Sequence, residues 1–239
     1  MEDRKRPTLR PHGAELRGLA EVPRSTLHEG RFGRMFRNLP PFAPADEDLV
    51  ALAQEMIEPP EDDQGDETAG DNDNISAGFT YFGQFIDHDI TFDPASSLQQ
   101  LNDPDALVDF RTPRLDLDSL YGRGPDDQPY MYDGKKFRLG RPLTENGTAT
   151  NARDLPRYND INDPNAAKLA LIGDKRNDEN VIVSQLHAAM LQFHNKLVDQ
   201  DSVASFRDIQ QQVRWHYQWI VVNDFLMKIC GEEVVPVPQ

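Results

Sequence analysis

AGFTYFGQFIDHDITF, residues 77–92, is a largely apolar stretch that contains Asp87, His88 and Asp89 in succession. Its apolar residues recur at intervals of three and four, the spacing of one helix face: Phe79, Phe82, Ile86 and Ile90. The run ends at Asp93–Pro94, where the residue before proline is disfavoured in a helix. The pattern therefore predicts an amphipathic helix over this stretch.

Three further segments outside this stretch have helical patterns. Residues 46–57 begin with acidic side chains, as a helix N-terminus favours, and roughly 178–199 and 206–230 have long apolar stripes. Residues 94–163, by contrast, are rich in Pro, Gly and Asp and have no convincing strand pattern. The fold class predicted is mainly α, with long irregular loops and little or no β.

Composition excludes several classes of function. The 239 residues include 25 basic and 41 acidic side chains, a formal charge of −16, which disfavours binding to nucleic acid or anionic membranes. The sequence shows no transmembrane run and no secretory signal, and it has one cysteine, so we expect a cytoplasmic protein. Residues 1–45, basic at their start, are expected to form an extended arm before a domain over 46–239.

The helix predicted over 77–92 has the most reactive group of side chains. Successive helical residues are about 100° apart, so Asp87, His88 and Asp89 face three different neighbourhoods. Gln84 lies four residues before His88 and shares its face. Burying a histidine between two carboxylates is costly without partners, which favours a functional site. A solvated surface helix is the alternative.

A second group lies in RTPRLDLDSLYG, residues 111–122. The side chains of Thr112, Asp116 and Asp118 and the carbonyl of Arg114 offer hard oxygen donors, which calcium prefers. These donors are too few for a full calcium shell, so Asp89 is a candidate for another ligand. Zinc is disfavoured because no Cys/His cluster has the required spacing. An acidic turn without a metal is the alternative.

The third group is GDKRNDEN, residues 173–180, just before a predicted helix. Asn177 or Asp178 could cap that helix. Arg176 and Glu179 are three residues apart and could project to one side, and an arginine near a helix start suggests an anionic or peroxide ligand. A capping loop with an incidental ion pair is the alternative.

Three other histidines fall in the two C-terminal helices: His187, His194 and His216. Because they lie beside apolar stripes, they are predicted to be packed residues at the core or its boundary rather than ligands. Trp215 and Trp219 flank the last of them and predict aromatic core packing.

Taken in order, GQFIDHDITF, TPRLDLDSLYG and GDKRNDEN…LHAAMLQFHNKL resemble the animal-type haem peroxidases of the peroxidase–cyclooxygenase superfamily, and its bacterial members in particular. The three motifs span about 120 residues. The resemblance implies the haem peroxidase fold, and residues 46–239 would correspond to its N-terminal, distal half. The family's proximal haem-ligating histidine comes from the C-terminal half, which we expect to be absent here.

Residue by residue, the resemblance implies three kinds of site. The distal catalytic residues would be His88, Arg176 and Gln84. The carboxylates able to form haem esters would be Asp87 and Glu179, and the haem would be haem b. The calcium ligands would be Asp89, Thr112, Arg114 through its carbonyl, Asp116 and Asp118.

The activity implied is reduction of hydrogen peroxide with oxidation of a small organic or halide substrate. His88 would move a proton between the two peroxide oxygens while Arg176 stabilises the developing charge. A haem-dependent fatty-acid dioxygenase with a lipid substrate, and a non-catalytic calcium-stabilised fragment, are the alternatives. A partner chain could supply the C-terminal half.

Overall fold

The computed structural model describes residues 30–31, 38–40, 42–57, 72–92, 108–158 and 168–231. The described part is mainly helical, as predicted. Most of the predicted N-terminal arm, residues 1–45, lies outside the described residues. No helix in the described ranges is both long and apolar enough to cross a membrane.

Six α-helices occur in the described residues: α1 (Asp46–Glu55), α2 (Gly78–Ile90), α3 (Asp118–Tyr121), α4 (Val181–Gln200), α5 (Phe206–Ile220) and α6 (Leu226–Cys230). A π-helical turn, Val221–Phe225, joins α5 to α6. A 3₁₀ turn, Lys175–Asp178, precedes α4. The positions of the four predicted helices are thus confirmed to within a few residues, with the last one divided by the π turn.

The helix starts show which local signals operate. Asn180, not Asn177 or Asp178, caps α4, because its side chain accepts the N–H of Val183. Ser205 and Asp208 form a reciprocal capping box at the start of α5. The expected cap was therefore wrong, since the residues before Asn180 are taken up by the 3₁₀ turn.

Three two-stranded antiparallel sheets occur in the described residues. They pair β1 (Gly30–Arg31) with β2 (Val108–Asp109), β3 (Tyr132–Asp133) with β4 (Lys136–Phe137), and β5 (Pro142–Glu145) with β6 (Thr148–Arg153). The expectation that 94–163 lacks strands was wrong for 108–109 and for 132–153. These strands are too short for an alternating pattern to stand out, and the turns Gly134 and Asn146–Gly147, with positive φ, make the hairpins.

The core lies between α2, α4 and α5. The buried face of α2 presents Phe85 and Ile86, and edge-to-face contacts join Phe85 to Tyr217 of α5 and to His187 of α4. Helix α1 has no buried residue, so its apolar stripe is exposed. The core therefore holds α2 against α4 and leaves α1 outside.

One glycine is required where the segment before α4 meets α3. A Cβ on Gly173 would lie 2.6 Å from the carbonyl oxygen of Ser119 and 2.8 Å from the backbone nitrogen of Gly122. Backbone atoms cannot easily give way, so only glycine allows this approach. It brings the 3₁₀ turn of residues 175–178 close to both α2 and α3.

Candidate functional site

The two ionisable residues at the end of α2 are buried on different sides of the helix. His88 is 5% exposed and Asp89 is fully buried, while the preceding residue, Asp87, is exposed. Thr91 donates to the carboxylate of Asp87 at 3.2 Å. The predicted division of this turn into three neighbourhoods is thus observed.

On the first side, His88 belongs to a buried chain of hydrogen bonds that we call the histidine relay: His88, Asn177 and His187. Nδ1 of His88 lies 2.8 Å from Oδ1 of Asn177, and Nδ2 of Asn177 lies 2.9 Å from Nδ1 of His187. Asn177 and His187 are both fully buried. Burial lowers the pKa of His187 to about 3, against the opposing charges of Asp174 and Asp178, so this ring is neutral.

Arg176 lies beside the relay and holds the end of α2. Its Nη2 donates to the carbonyl of His88 at 3.0 Å and to that of Thr91 at 2.5 Å. The central carbon of its guanidinium group lies over the ring of Phe92, 5.1 Å from the ring centre. A cation at a helix C-terminus is favourable for the helix dipole. The position of Arg176 before α4 therefore has a structural reason, and the anionic ligand suggested by the sequence is not needed to explain it.

Asp174 binds two arginines at once. Its Oδ2 accepts from Nη2 of Arg111 at 2.7 Å and from Nη2 of Arg176 at 2.8 Å. Burial raises the pKa of Asp174, but the hydrogen bonds from Arg176 and Arg111 outweigh burial and lower it to about 2. The carboxylate is therefore ionised at neutral pH and fixes Arg176 against α2.

Gln84 and Glu179, the other residues predicted on this side, are less enclosed. Oε1 of Gln84 accepts from Nδ2 of Asn180 at 3.0 Å, which links α2 to the start of α4. Glu179 is exposed, like Asp87. The structure thus brings His88 and Arg176 into contact and leaves the two predicted haem-esterifying carboxylates on the surface.

On the second side, Asp89 faces a group that we call the carboxylate cluster: Asp89, Asp116, Asp118 and Ser119. The carboxylate of Asp89 accepts the N–H of Leu117 at 3.1 Å and that of Ser119 at 3.3 Å. Burial, and after it the charge of Asp116, raises the pKa of Asp89 to about 6. The two backbone hydrogen bonds therefore do not fully compensate the negative charge of the buried Asp89 carboxylate.

The loop of this cluster has an unusual backbone. Leu115 and Leu117 adopt left-handed conformations, with φ of 55° and 58°, which cost non-glycine residues roughly 1–3 kcal/mol each. Thr112 donates to Oδ2 of Asp116 at 2.9 Å, but Oδ1 of Asp116 and the hydroxyl of Ser119 are buried with no hydrogen-bond partner. The strained turn thus directs two backbone N–H groups at Asp89 and leaves two buried oxygens unpaired.

The predicted calcium donors are present but not gathered at one point. The carbonyl of Arg114 accepts from Nε2 of Gln218 at 3.1 Å. Asp118 is buried. Within the described ranges, no three His, Cys, Asp or Glu side chains form a group able to hold a metal ion.

The other histidines are divided by burial. His187 and His194 are fully buried, as predicted, and His194 contacts the hydroxyl of Tyr121 at 3.0 Å. His216 is exposed, so the prediction that it packs in the core was wrong. Trp215 and Trp219 are also exposed, at 61% and 63%. The helix presents Val213 and Tyr217 to the core instead, and its aromatic density gave no indication of which face is covered.

Sequence reasoning missed four residues that organise the site: Arg111, Asp174, Asn177 and His187. Asn177 was considered only as a cap, and His187 only as a packed residue. A signal was present for Asp174, since an aspartate two residues before an arginine at a turn can accept its N–H, as it does here at 3.0 Å. Nothing in the sequence paired Arg111 with Asp174, because 63 residues separate them.

Comparison with models of known protein families gives no match to this chain, and comparison with curated proteins gives none either. The resemblance to the animal-type haem peroxidases therefore stays a prediction that depends on the three motifs.

Proposed function

We propose that this chain provides the distal half of a haem peroxidase site of the animal type. The observation that supports this most is the meeting of His88 with Arg176, 88 residues later in the chain, at 3.0 Å between Nη2 and the His88 carbonyl. The sequence motifs that carry the resemblance are far apart in the chain, and a site requires them to be adjacent. Their adjacency is what the proposal predicts.

The geometry supports a proton-transfer role for His88. Its Nδ1 is engaged by Asn177, and no described residue hydrogen-bonds its Nε2. A ring held at one nitrogen and free at the other can take a proton from one oxygen of hydrogen peroxide and return it to the second.

Arg176 is the group proposed to stabilise negative charge on the peroxide oxygens. Its Nε and Nη2 are bound to Asp174 and the end of α2, whereas no described residue contacts its Nη1 by a hydrogen bond. The side chain is 20% exposed, so this nitrogen can reach a ligand. Gln84, with Oε1 bound to Asn180, has its amide nitrogen available to order a water molecule.

Haem, when bound, supplies the redox chemistry of peroxide cleavage. Asp87 and Glu179 are exposed carboxylates near His88 and Arg176 in the sequence, and they are the residues proposed to attach haem b. The two histidines of α4 are fully buried in the core. Both ring nitrogens of His194 are hydrogen-bonded, and Nδ1 of His187 is bound to Asn177. The proposal therefore includes an axial ligand from outside the described residues, such as a partner chain.

We propose that calcium binds at the carboxylate cluster and draws together donors that are not grouped around one point in the described structure. These donors are Asp89, Thr112, the Arg114 carbonyl, Asp116 and Asp118. The unpartnered Oδ1 of Asp116 and the raised pKa of buried Asp89 support a cation there, because a positive charge would compensate both. Carboxylate, hydroxyl and carbonyl oxygens are calcium's preferred ligands.

The test is peroxide-dependent oxidation of a phenol by the haemin-loaded chain, with and without added imidazole as an axial ligand. We expect a Soret band, and His88→Gln should reduce the rate by about 100-fold or more. The matched control is His216→Gln, which changes an exposed histidine and should leave the rate unchanged. Equal rates in both variants would contradict the role of His88.

The same assay separates the alternatives. Oxygen uptake with linoleate, in place of phenol oxidation, would favour a fatty-acid dioxygenase. Absence of a Soret band under every condition, together with stabilisation by calcium, would favour a non-catalytic calcium-stabilised module.

A further inference from the structure

The histidine relay has a direction that is set by the amide of Asn177. A primary amide has an acceptor oxygen at one end and a donor nitrogen at the other, and each end meets one histidine, at 2.8 Å and 2.9 Å. All three side chains are at least 95% buried. Because water is largely excluded, each end of the amide must be matched by the ring it faces.

This orientation determines where the imidazole protons lie. Oδ1 of Asn177 can only accept, so Nδ1 of His88 must donate, and a neutral ring then has its lone pair on Nε2. Nδ2 of Asn177 donates, so Nδ1 of His187 must accept. His187 is neutral in this buried position, so its one ring proton then lies on Nε2, which is buried without a hydrogen-bond partner among the described residues.

We propose that Asn177 is a positioning residue that fixes His88 in the Nδ1-protonated tautomer, while the amide nitrogen of Asn177 donates to His187. The proposal deepens the proposed function, because the tautomer leaves Nε2 as the proton acceptor that His88 needs there. It is independent of haem, because the three side chains of the relay belong to the described chain.

The 3₁₀ turn supports this role for Asn177. The backbone N–H of Asn177 donates to the carbonyl of Asp174 at 3.1 Å, and Asp174 is itself held by Arg111 and Arg176. The residue that sets the tautomer of His88 is thus built into the same turn as the proposed charge-stabilising Arg176. One rigid element positions both groups relative to α2.

The direct test is nitrogen NMR of the haem-free protein with ¹⁵N-labelled histidine, at a pH where the rings are neutral. In the wild type, Nδ1 of His88 is expected to be protonated and Nε2 unprotonated. A hydrogen bond of ordinary net strength shifts the ratio of the Nδ1-protonated to the Nε2-protonated form by about fivefold, and a buried hydrogen bond shifts it further. A wild-type His88 protonated at Nε2 would overturn the proposal, whether or not any variant folds.

Variants sharpen the test. Asn177→Leu should shift His88 towards the Nε2-protonated form, whereas Asn177→Asp retains the acceptor and should retain the Nδ1-protonated form. Asn195→Leu is the matched control, since Asn195 is a partly buried asparagine whose hydrogen bonds within the described residues go to the backbone of Phe137. An unchanged tautomer in Asn177→Leu would contradict the role of Asn177.

Activity gives a second, separable readout. With haemin, Asn177→Leu should lower the peroxide rate by about tenfold, which is less than the roughly 100-fold or greater loss expected when the acid–base group itself is removed. Asn177→Asp should stay within about threefold of wild type. If the NMR result is as expected but no variant affects peroxide turnover, the proposed function fails and the tautomer assignment stands.

Discussion

The two sides of α2 differ in which buried polar atoms are left without a hydrogen-bond partner among the described residues. On the relay side, both ends of the Asn177 amide are bonded, and the buried atoms without a partner are two nitrogens, Nε of Arg111 and Nε2 of His187. On the cluster side, Oδ1 of Asp116 and the hydroxyl of Ser119 are buried without a partner. Adjacent residues of one helix, His88 and Asp89, therefore lie in environments of opposite character. The unpaired atoms of the second environment are oxygens, which a cation could bind.

The largest effect is expected on the relay side, from Asp174→Asn. Removing the charge leaves Arg111 buried without its partner, so we expect the free energy of unfolding at pH 7 to fall by about 3 kcal/mol. Because the folded pKa of Asp174 lies below its unfolded value of 3.8, its stabilisation is present above that pH and lost as pH falls towards 2.

Urea denaturation of both proteins from pH 7 down to pH 3 measures this difference. The gap between wild type and Asp174→Asn should narrow below about pH 4, as the wild-type carboxylate becomes protonated. Asp126→Asn, which changes an exposed aspartate, is the control and should match wild type throughout. A gap that stays constant down to pH 3 would mean that the ionic network does not stabilise the fold.

The next effect tests whether the cluster side is completed by calcium. At a calcium concentration 100 times its dissociation constant, the free energy of unfolding should rise by about 2.7 kcal/mol, and chelation should reverse the gain. Asp116→Asn should remove this response, because it weakens a buried carboxylate donor, while Asp126→Asn should retain it. Differential scanning calorimetry with calcium and with chelator is the measurement. A melting temperature that neither calcium nor chelator changes would exclude the proposed calcium site.

The smallest effect compares two buried serines in calcium-free protein. Ser119→Ala removes a buried hydroxyl without a partner and should stabilise the fold by about 1 kcal/mol. Ser184→Ala removes a hydroxyl that donates to the Val181 carbonyl at 3.0 Å and should cost about the same amount. Chemical denaturation of the two variants measures whether each substitution raises or lowers the free energy of unfolding. If Ser119→Ala is destabilising, the hydroxyl has a partner in the folded protein and the cluster side has one unpaired oxygen fewer.

The helices could be predicted from the sequence because apolar spacing and capping residues act within one or two turns. Residues 77–92 illustrate this, since three- and four-residue spacing gave α2 nearly to its ends. The two hairpins within 132–153 were not predictable in the same way. Strands of two to six residues are specified by their partners and by turn residues more than by their own pattern.

The candidate site was predictable only in its separate pieces. The sequence indicated that Asp87, His88 and Asp89 face different neighbourhoods, and that Arg176 requires a structural or functional reason. It could not indicate that Asn177 joins His88 to His187, or that Asp174 joins Arg111 to Arg176, because these pairs depend on the approach of distant segments. The sequence of α5 likewise could not indicate which of its faces is buried, since Trp215 and Trp219 were predicted to lie in the core but are exposed.

The amino-acid sequence by itself determined the helix positions, the acidic charge and the order of the three motifs, since each depends on neighbouring residues or simple composition. Only the tertiary structure decided which face of each helix is buried and which polar groups meet across 60 to 90 residues of chain. The physical reason is that burial removes water from both partners, so a hydrogen bond or charge is specified by what packs opposite it. Gly173 shows this most simply, because its lack of a side chain matters only where the backbone of Ser119 lies against it.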